Sequence, residues 1–323
     1  MRIVITGGAG FLGSMVTRAL LEAMDAGTAP LGARELVSVD LAPSPVADSR
    51  VHSVVGNLAD PASLAESLGE DTVGVFHLAA VLSGGSEQDF DLAMAVNVDA
   101  TRALLERLRA LRASTGRPVR LVFTSSLAVF GGAMPEVVPE QWAEQPDSTY
   151  GALKAVGELL VNEYSRKGFL DGRICRLPTI SVRPGKPNSA ASSFASGILR
   201  EPLNGIPTEC PVPRQTRMWL SSPRTAVANL LKAMDLPAEE MSSWRGMNIP
   251  GICVTVQQML DSLERVGGAE ARALVRDVPD QRVIDIVCSW PGDFDVERML
   301  GMGFVRDEDF DEVVRQYVAD HLS

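Results

Sequence analysis

The chain has 323 residues and a formal net charge of −11, with 46% hydrophobic and 22% charged residues. This balance is ordinary for a globular protein with a substantial core, and the acidic charge argues against a nucleic-acid partner, because surfaces that bind nucleic acids are basic. Four cysteines and three histidines are scattered without metal-ligand spacing, so we expect no metal site, and unpaired thiols are typical of a cytoplasmic protein. No run of about 18 apolar residues occurs, so we expect no membrane partner.

The N-terminal half alternates short apolar segments with segments of helical periodicity. Strands are predicted at 2–6, 35–40, 74–80, 120–126 and 172–177, and helices at 14–24, 88–113 and 150–168. The strands are apolar through most of their length, which is typical of strands buried on both faces. Their alternation with helices predicts an α/β domain with a doubly wound parallel sheet, the Rossmann arrangement.

The character of the chain changes after residue 178. Proline, glycine and serine become frequent, and two amphipathic helices are predicted at 254–268 and 307–322. We therefore expect a first domain over residues 1–178 and a smaller, mainly substrate-binding lobe over 179–323. A segment around 215–250 is expected to return to the first domain.

A glycine-rich loop joins the first predicted strand to the first helix. It contains Gly7, Gly10 and Gly13, with Phe11 and Leu12 between the last two. In a strand–turn–helix context, such glycines let the backbone approach a dinucleotide pyrophosphate, and the helix N-terminus supplies N–H donors. A purely structural turn is the alternative. We predict that the first domain binds a dinucleotide.

The second predicted strand ends at Asp40, whose carboxylate can accept both hydroxyls of an adenosine ribose and would repel a 2′-phosphate. This residue predicts NAD rather than NADP as the cofactor. Farther along, Asn57 and Leu58 are candidates to meet the adenine. Small residues such as Ala79 end the 74–80 strand and leave room for the cofactor.

Two groups on the 150–168 helix suggest chemistry. Tyr150 and Lys154 are four residues apart and therefore share a face. A chance surface pair is the alternative, but the strand 120–126 ends in Ser125 and Ser126 at the same sheet edge. A cation about 4 Å from the phenol, at an effective dielectric constant of about 20, would lower the pKa of Tyr150 by about three units. That would make tyrosine a base for oxidising an alcohol.

The motifs TGGAGFLG, HLAA, NVDAT, FTSSLAVFG and YGALK, together with Asp40, occur in an order and spacing that resemble the extended short-chain dehydrogenases/reductases, the NAD-dependent epimerase/dehydratase group. The resemblance implies that Tyr150 is the catalytic acid/base and that Lys154 lowers its pKa and binds the nicotinamide ribose. It implies that Ser126 holds the substrate hydroxyl, with Ser125 assisting. It also places Asn97 on the cofactor side.

By the same resemblance, Leu177 to Ile180 line the nicotinamide pocket, with Pro178 facing the cofactor and Thr179 the substrate. Residues 173–224 contain eight basic and two acidic residues, which favours an anionic substrate. Arg183 and Arg217 are the candidates to hold it, because guanidinium groups bind carboxylates bidentately. Most of the other basic residues are equally explained as surface residues.

The stretch SVRPGKPNSAASSFASGILREPLNG is similar to the corresponding region of the D-erythronate dehydrogenases, a sugar-acid branch of this family. The similarity implies oxidation of D-erythronate at C2 to 2-oxo-erythronate, with NAD⁺ reduced. Ser189, Ser192 and Ser193 in this stretch could meet substrate hydroxyls or could cap a helix.

Three other functions remain open. A nucleotide-sugar epimerase-type enzyme usually carries a His and an Asp after the arginine equivalent to Arg217, where this chain has RMWLSSP. L-threonine dehydrogenase is a relative with a small acid substrate, and a non-catalytic NAD-binding protein would not need the serine, tyrosine and lysine set. The helices 88–113 and 150–168 could form a homodimer, or their apolar faces could pack on their own sheet.

Overall fold

The computed structural model describes residues 1–186 and 190–322, and its central sheet has seven parallel strands. They are β1 (Arg2–Thr6), β2 (Glu35–Asp40), β3 (Val51–Val55), β4 (Thr72–His77), β5 (Arg120–Ser126), β6 (Asp171–Leu177) and, from later in the chain, β10 (Gly246–Asn248). Their order in the sheet is β3-β2-β1-β4-β5-β6-β10. The predicted doubly wound parallel sheet is confirmed, because helices cover both of its faces.

The N-terminal half contains six helices. They are α1 (Phe11–Asp25), α2 (Pro61–Ser67), α3 (Ser83–Gln88), α4 (Phe90–Met94), α5 (Thr101–Thr115) and α6 (Thr149–Arg166). Helix α1 and a later helix, α8 (Pro223–Asp235), bury apolar side chains on one face of the sheet, whereas α2, α5 and α6 pack on the other. Because the helices on both faces pack against the sheet through apolar side chains, the strand sequences are continuously hydrophobic.

The predicted helix over 88–113 is divided in the structure. The side chain of Asp89 caps α4 by accepting a hydrogen bond from the backbone N–H of Leu92, and residues 95–100 form a wide π-helical turn before α5. Such a turn shifts the helical register but keeps the backbone hydrogen-bonded from one helix into the next. The apolar periodicity therefore continues on both sides of the turn, and it does not reveal the division.

The remaining elements build the second lobe and close the sheet. The strands are β7 (Thr179–Ile180), β8 (Thr208–Cys210), β9 (Arg217–Ser221), β10 (Gly246–Asn248), β11 (Ile252–Thr255) and β12 (Val275–Asp277). The helices are α7 (Phe194–Leu203), α8 (Pro223–Asp235), α9 (Val256–Ala273), α10 (Gln281–Val287), α11 (Glu297–Gly301) and α12 (Phe310–His321).

Helix α9 packs against α7 and α12 around a separate apolar core. Strand β10 joins the main sheet beside β6, and β7, β9 and β11 form a three-stranded sheet. The second half of the chain thus contributes to both parts of the molecule. The division at residue 178 stays a prediction.

Over residues 1–186 and 190–322, no helix has the length and apolar character to cross a bilayer, and no group of three or more His, Cys, Asp or Glu side chains could hold a metal ion. Cys175, Cys210, Cys253 and Cys288 are free thiols. The cytoplasmic location stays a prediction.

Candidate active site

The glycine-rich loop follows β1 and leads directly into α1. Gly7 has a φ of 71°, which favours glycine, and a Cβ at this position would lie 2.8 Å from the backbone nitrogen of Ala79. A Cβ on Gly13 would lie 2.2 Å from the carbonyl oxygen of Gly7. The loop and the end of β4 therefore pack backbone to backbone, which leaves the kind of cradle that a pyrophosphate requires.

Asp40 lies beside this cradle. Its Oδ2 accepts a hydrogen bond of 3.0 Å from the backbone N–H of Ala9 in the glycine-rich loop, and its other oxygen accepts from the backbone N–H of Leu41. The carboxylate is thus held at the end of β2, where the ribose role predicted for it requires it. Asn57 is exposed, and its Oδ1 accepts a hydrogen bond from the backbone N–H of Ala59 in the same turn. Leu58 is buried.

Asn97 uses its side chain to hold the backbone of the loop that follows β4. Its Oδ1 accepts from the N–H of Val81 at 2.8 Å, and its Nδ2 donates to the carbonyl of Val81 at 3.0 Å. The side chain is buried. Asn97 therefore shapes the cofactor side of the site through the loop it fixes.

A cavity of about 310 Å³ opens at the carboxyl edge of the sheet, between the two lobes. It brings together most of the predicted residues. Its lining includes Gly7, Gly10, Phe11, Leu12, Ser125, Ser126, Tyr150, Lys154, Pro178, Thr179 and Arg183. This edge is where ligands bind in open α/β sheets.

Local structure places Tyr150 in the first turn of α6. The Ser148 side chain caps this helix by accepting from the N–H of Gly151 at 3.1 Å. Gly151 lets the helix approach the preceding segment, because a Cβ there would lie 2.0 Å from the carbonyl oxygen of Ala128. Burial raises the pKa of Tyr150 to about 12, and a hydrogen bond with Ser126 opposes that rise. The phenol and the serine hydroxyl therefore meet in the cavity.

Lys154 is buried on the same face of α6. Its Nζ donates to the carbonyl oxygen of Thr124 at 2.7 Å and lies 5.7 Å from the centroid of the Tyr150 ring. Burial lowers the pKa of Lys154 to about 8, and the charge of Glu158 raises it. The expected strong lowering of the Tyr150 pKa is therefore wrong for the protein by itself, because burial of the phenol outweighs the hydrogen bond with Ser126.

Ser125 and Ser126 face different surroundings, as consecutive residues of a strand do. The Ser126 oxygen accepts from the N–H of Ala128 at 3.1 Å and meets Tyr150. The Ser125 hydroxyl donates to the buried carboxylate of Glu158 instead. Ser125 also lines the cavity, and with its hydroxyl bonded to Glu158 the assisting role predicted for it stays a prediction.

The two arginines chosen as candidate anion ligands separate in space. Arg183 lines the cavity, and burial, then the charge of Arg200, lowers its pKa. Among the described residues that line the cavity, Arg217 is absent; its guanidinium donates to Glu136 at 2.8 Å and to Asp293 at 3.0 Å. The structure does not bring Arg217 into this site, because two carboxylates hold and neutralise it elsewhere.

Several lining residues carried no predicted role. Trp290 and Ser83 both line the cavity, and the Ser83 hydroxyl accepts from the N–H of Ala191 at 3.0 Å. Ser192, which was predicted to meet substrate hydroxyls or to cap a helix, also lines the cavity, whereas Ser189 lies outside the described residues. Trp290 comes from a part of the chain with no local motif, so only the fold could place it here.

The comparisons with known proteins agree with this geometry. The NAD dependent epimerase/dehydratase family matches residues 3–230. A protein named D-erythronate dehydrogenase from Cupriavidus necator is 50% identical, covering 99% of this chain and 98% of the relative. Another protein with that name, from Haemophilus influenzae, is 44% identical, covering 98% and 99%.

A solved structure described as a nucleoside-diphosphate-sugar epimerase from Agrobacterium tumefaciens superposes with a TM-score of 0.92 at 36% identity, covering 100% of this chain and 94% of that one. With the family match spanning most of the chain and relatives well above 30% identity over nearly their full length, this chain belongs to the NAD dependent epimerase/dehydratase family.

Proposed function

We propose that this protein oxidises D-erythronate at C2 to 2-oxo-erythronate, with NAD as its cofactor. The observation that carries the proposal is the meeting of Ser126, Tyr150, Lys154 and Arg183 in one cavity of about 310 Å³. A proton acceptor, a hydroxyl ligand and a cation for a carboxylate are what this oxidation needs. The two relatives named D-erythronate dehydrogenase support the choice of acid.

The residues of the chain fit NAD. The glycine cradle has no room for side chains, and Asp40 is held beside it. When bound, NAD⁺ supplies the hydride acceptor and a positively charged nicotinamide. Lys154, which is buried next to Tyr150, would hold the nicotinamide ribose, and Pro178 would line the nicotinamide pocket.

The catalytic proton transfer is assigned to Tyr150. Ser126 donates a hydrogen bond that stabilises charge on the phenol oxygen and orients the hydroxyl of the substrate, while Tyr150 takes the hydroxyl proton as hydride leaves the carbon. Burial raises the pKa of Tyr150 to about 12, so the phenol needs positive charge nearby to act as a base. Lys154 and the nicotinamide supply it.

Arg183 is the proposed ligand of the substrate carboxylate. Its backbone is fixed on both sides: the N–H donates to Ser196 at 3.0 Å, and the carbonyl accepts from Arg200 at 2.8 Å. A guanidinium group at the wall of a small cavity can orient a carboxylate and thereby present C2, the neighbouring carbon, to the catalytic pair.

A nucleotide-sugar epimerase is the second candidate, because the Agrobacterium tumefaciens structure carries that description. Such a substrate needs room for a diphosphate and a base, and cations to bind the diphosphate. The Arg217 guanidinium, predicted to meet substrate, is instead paired with Glu136 and Asp293, and the cavity is small. These two observations favour the sugar acid.

The test is to mix the protein with NAD⁺ and four- to six-carbon aldonic acids and to follow NADH absorbance. We expect net NADH with D-erythronate above the other acids. Product from a UDP- or GDP-sugar without net cofactor reduction, and no NADH from any acid, would instead establish the epimerase function.

The Tyr150→Phe variant tests the mechanism. Phenylalanine fills the same space but has no proton acceptor, so we expect turnover to fall by at least about 10³-fold while NADH binding, measured by fluorescence, persists. The Phe169→Tyr variant adds a phenol far from the cavity and is expected to leave the rate unchanged. Full turnover by Tyr150→Phe would exclude Tyr150 as the base.

We also propose that the protein forms a homodimer through α4 and α6. Phe90 and Leu92 on α4 and Val156 and Leu159 on α6 are exposed apolar residues, with Leu159 57% exposed, and adjoining surfaces of this kind favour a protein partner. A second copy is the partner that fits, since a two-fold axis would place the same helices against each other.

Light scattering should show a dimer for the wild type and a monomer for Leu159→Glu. A monomeric wild type would contradict the proposed dimer.

A further inference from the structure

Helix α6 carries a third functional group on the face of Tyr150 and Lys154. Glu158 lies one turn beyond Lys154 and is completely buried. A carboxylate rarely occupies such a position unless it is paired, because burial of an isolated charge is costly. Its partners therefore indicate what it does.

Glu158 is held by Ser125 and by Arg176 on the neighbouring strands. The Ser125 hydroxyl donates to its Oε1. The Nε of Arg176 donates to both carboxylate oxygens at 3.0 Å, and Nη2 donates to Oε2 at 2.7 Å. These bonds connect α6 to the ends of β5 and β6 directly behind the cavity.

A second carboxylate shares the same arginine. Glu144 accepts from Arg176 Nη2 at 2.5 Å, and burial, then the charge of Glu158, raises the pKa of Glu144 to about 8, although Arg176 opposes the rise. At neutral pH Glu144 therefore keeps its proton, and its carboxyl accepts from the same guanidinium that pairs with Glu158.

We propose that Glu158 is a positioning residue for the catalytic pair: its carboxylate supplies the counter-charge that keeps Lys154 cationic and holds the end of β5 so that Ser126 faces the cavity. This inference rests on the proposed function, because it assumes that Lys154 and Ser126 act in catalysis. It extends that function by adding a residue that never touches substrate or cofactor.

The surroundings of Lys154 explain why its charge depends on Glu158. Its ammonium is buried and donates to a neutral carbonyl, that of Thr124. Burial lowers the pKa of Lys154, and Glu158 is the charge that raises it. Without Glu158 the lysine would lose its proton at a lower pH, and an uncharged lysine cannot stabilise a phenolate.

Charged and titratable groups from the neighbouring elements face Glu158. Lys154 lies on its own helix, Arg176 and the Cys175 thiol on β6, and Glu144 in the segment before α6. The pKa of Cys175 is raised by burial to about 12, so this thiol stays neutral. Removal of the Glu158 charge also removes a cause that raises the pKa of Glu144, so Glu144 ionises more readily and pairs with Arg176 in its place, whereas Lys154 loses the charge that raises its own pKa.

The Glu158→Gln variant removes the charge and keeps an oxygen that accepts from Ser125 and Arg176. We expect the alkaline limb of the pH profile of kcat/KM to move down by about one unit, which leaves about one fifth of the wild-type activity at pH 8. The KM for D-erythronate should be unchanged, since Glu158 lies outside the cavity. Glu158→Asp, which retains the charge, should restore the wild-type limb.

The matched control is Glu163→Gln, on the same helix but exposed and paired with Arg166; its profile should equal that of the wild type. A purely structural role would lower the melting temperature of Glu158→Gln and leave the pH profile in place, and that result would overturn the proposal. If Glu158→Gln fails to fold, the double variant Glu158→Gln/Arg176→Met removes the buried pair and should move the alkaline limb in the same direction.

The pH dependence of NADH binding separates this inference from the proposed function. Lys154 would hold the ribose, so NADH affinity in Glu158→Gln should weaken at a lower pH than in the wild type. This shift is expected even if the wild type oxidises no sugar acid, in which case the proposed function fails and the role of Glu158 stands. An unshifted binding profile would contradict that role.

Discussion

At the scale of single residues, the adjacent serines at the end of β5 have different tasks. Both line the cavity, and strand geometry sends their side chains to opposite sides. What distinguishes them is Glu158, 33 residues away, whose carboxylate accepts from the Ser125 hydroxyl. A distant buried partner of this kind leaves no signal in the local motif.

The two serines should therefore respond differently to replacement by alanine. We expect Ser126→Ala to lower kcat/KM by about 10²-fold, because the substrate hydroxyl and Tyr150 lose a hydrogen-bond partner. Ser125→Ala should change kcat/KM by less than about fivefold but lower the melting temperature, because buried Glu158 loses a donor. Steady-state kinetics and thermal melting distinguish the two, and equal kinetic losses would contradict the assignment.

At the scale of elements, five of the seven strands of the main sheet and the cofactor loop were predictable because their signals are local, whereas β3 and β10 were not predicted. The strand β1 (Arg2–Thr6), the glycines after it and Asp40 at the end of β2 follow one another in a short stretch of chain. The π-helical turn at residues 95–100 could not be predicted, because such a turn preserves the apolar pattern on both sides of it.

The junction of β1 and α1 gives a prediction for Gly13. In Gly13→Ala the new Cβ would lie 2.2 Å from the Gly7 carbonyl oxygen, a backbone atom that cannot move aside. The loop must open, so NADH affinity measured by fluorescence should fall at least about tenfold. Gly301→Ala is the control, because a Cβ there meets nothing within 4 Å. Wild-type affinity in Gly13→Ala would show that the close packing is not needed.

At the scale of the whole molecule, the cavity lies between two lobes, and its far wall comes from the second. Trp290 follows α10, which packs on residues 191–193 beside the cavity. The sequence could predict a basic, substrate-facing segment, and Arg183 lies where that prediction requires. It could not predict Trp290 or exclude Arg217, because both depend on how distant segments pack.

Trp290 should limit the length of the substrate. In Trp290→Ala the cavity gains the volume of an indole, so we expect kcat/KM for D-erythronate to fall relative to that for six-carbon aldonic acids by about tenfold or more. Trp244→Ala, which removes an equally half-buried indole outside the cavity lining, should keep the wild-type preference. An unchanged preference in Trp290→Ala would rule out this role.

The most direct measurement of the proposed reaction uses D-erythronate carrying deuterium at C2. We expect the protein to reduce NAD⁺ with a primary isotope effect and the deuterium to appear in the reduced cofactor. Reduced cofactor without deuterium would show oxidation at another carbon, and no reduction at all would contradict the proposed function.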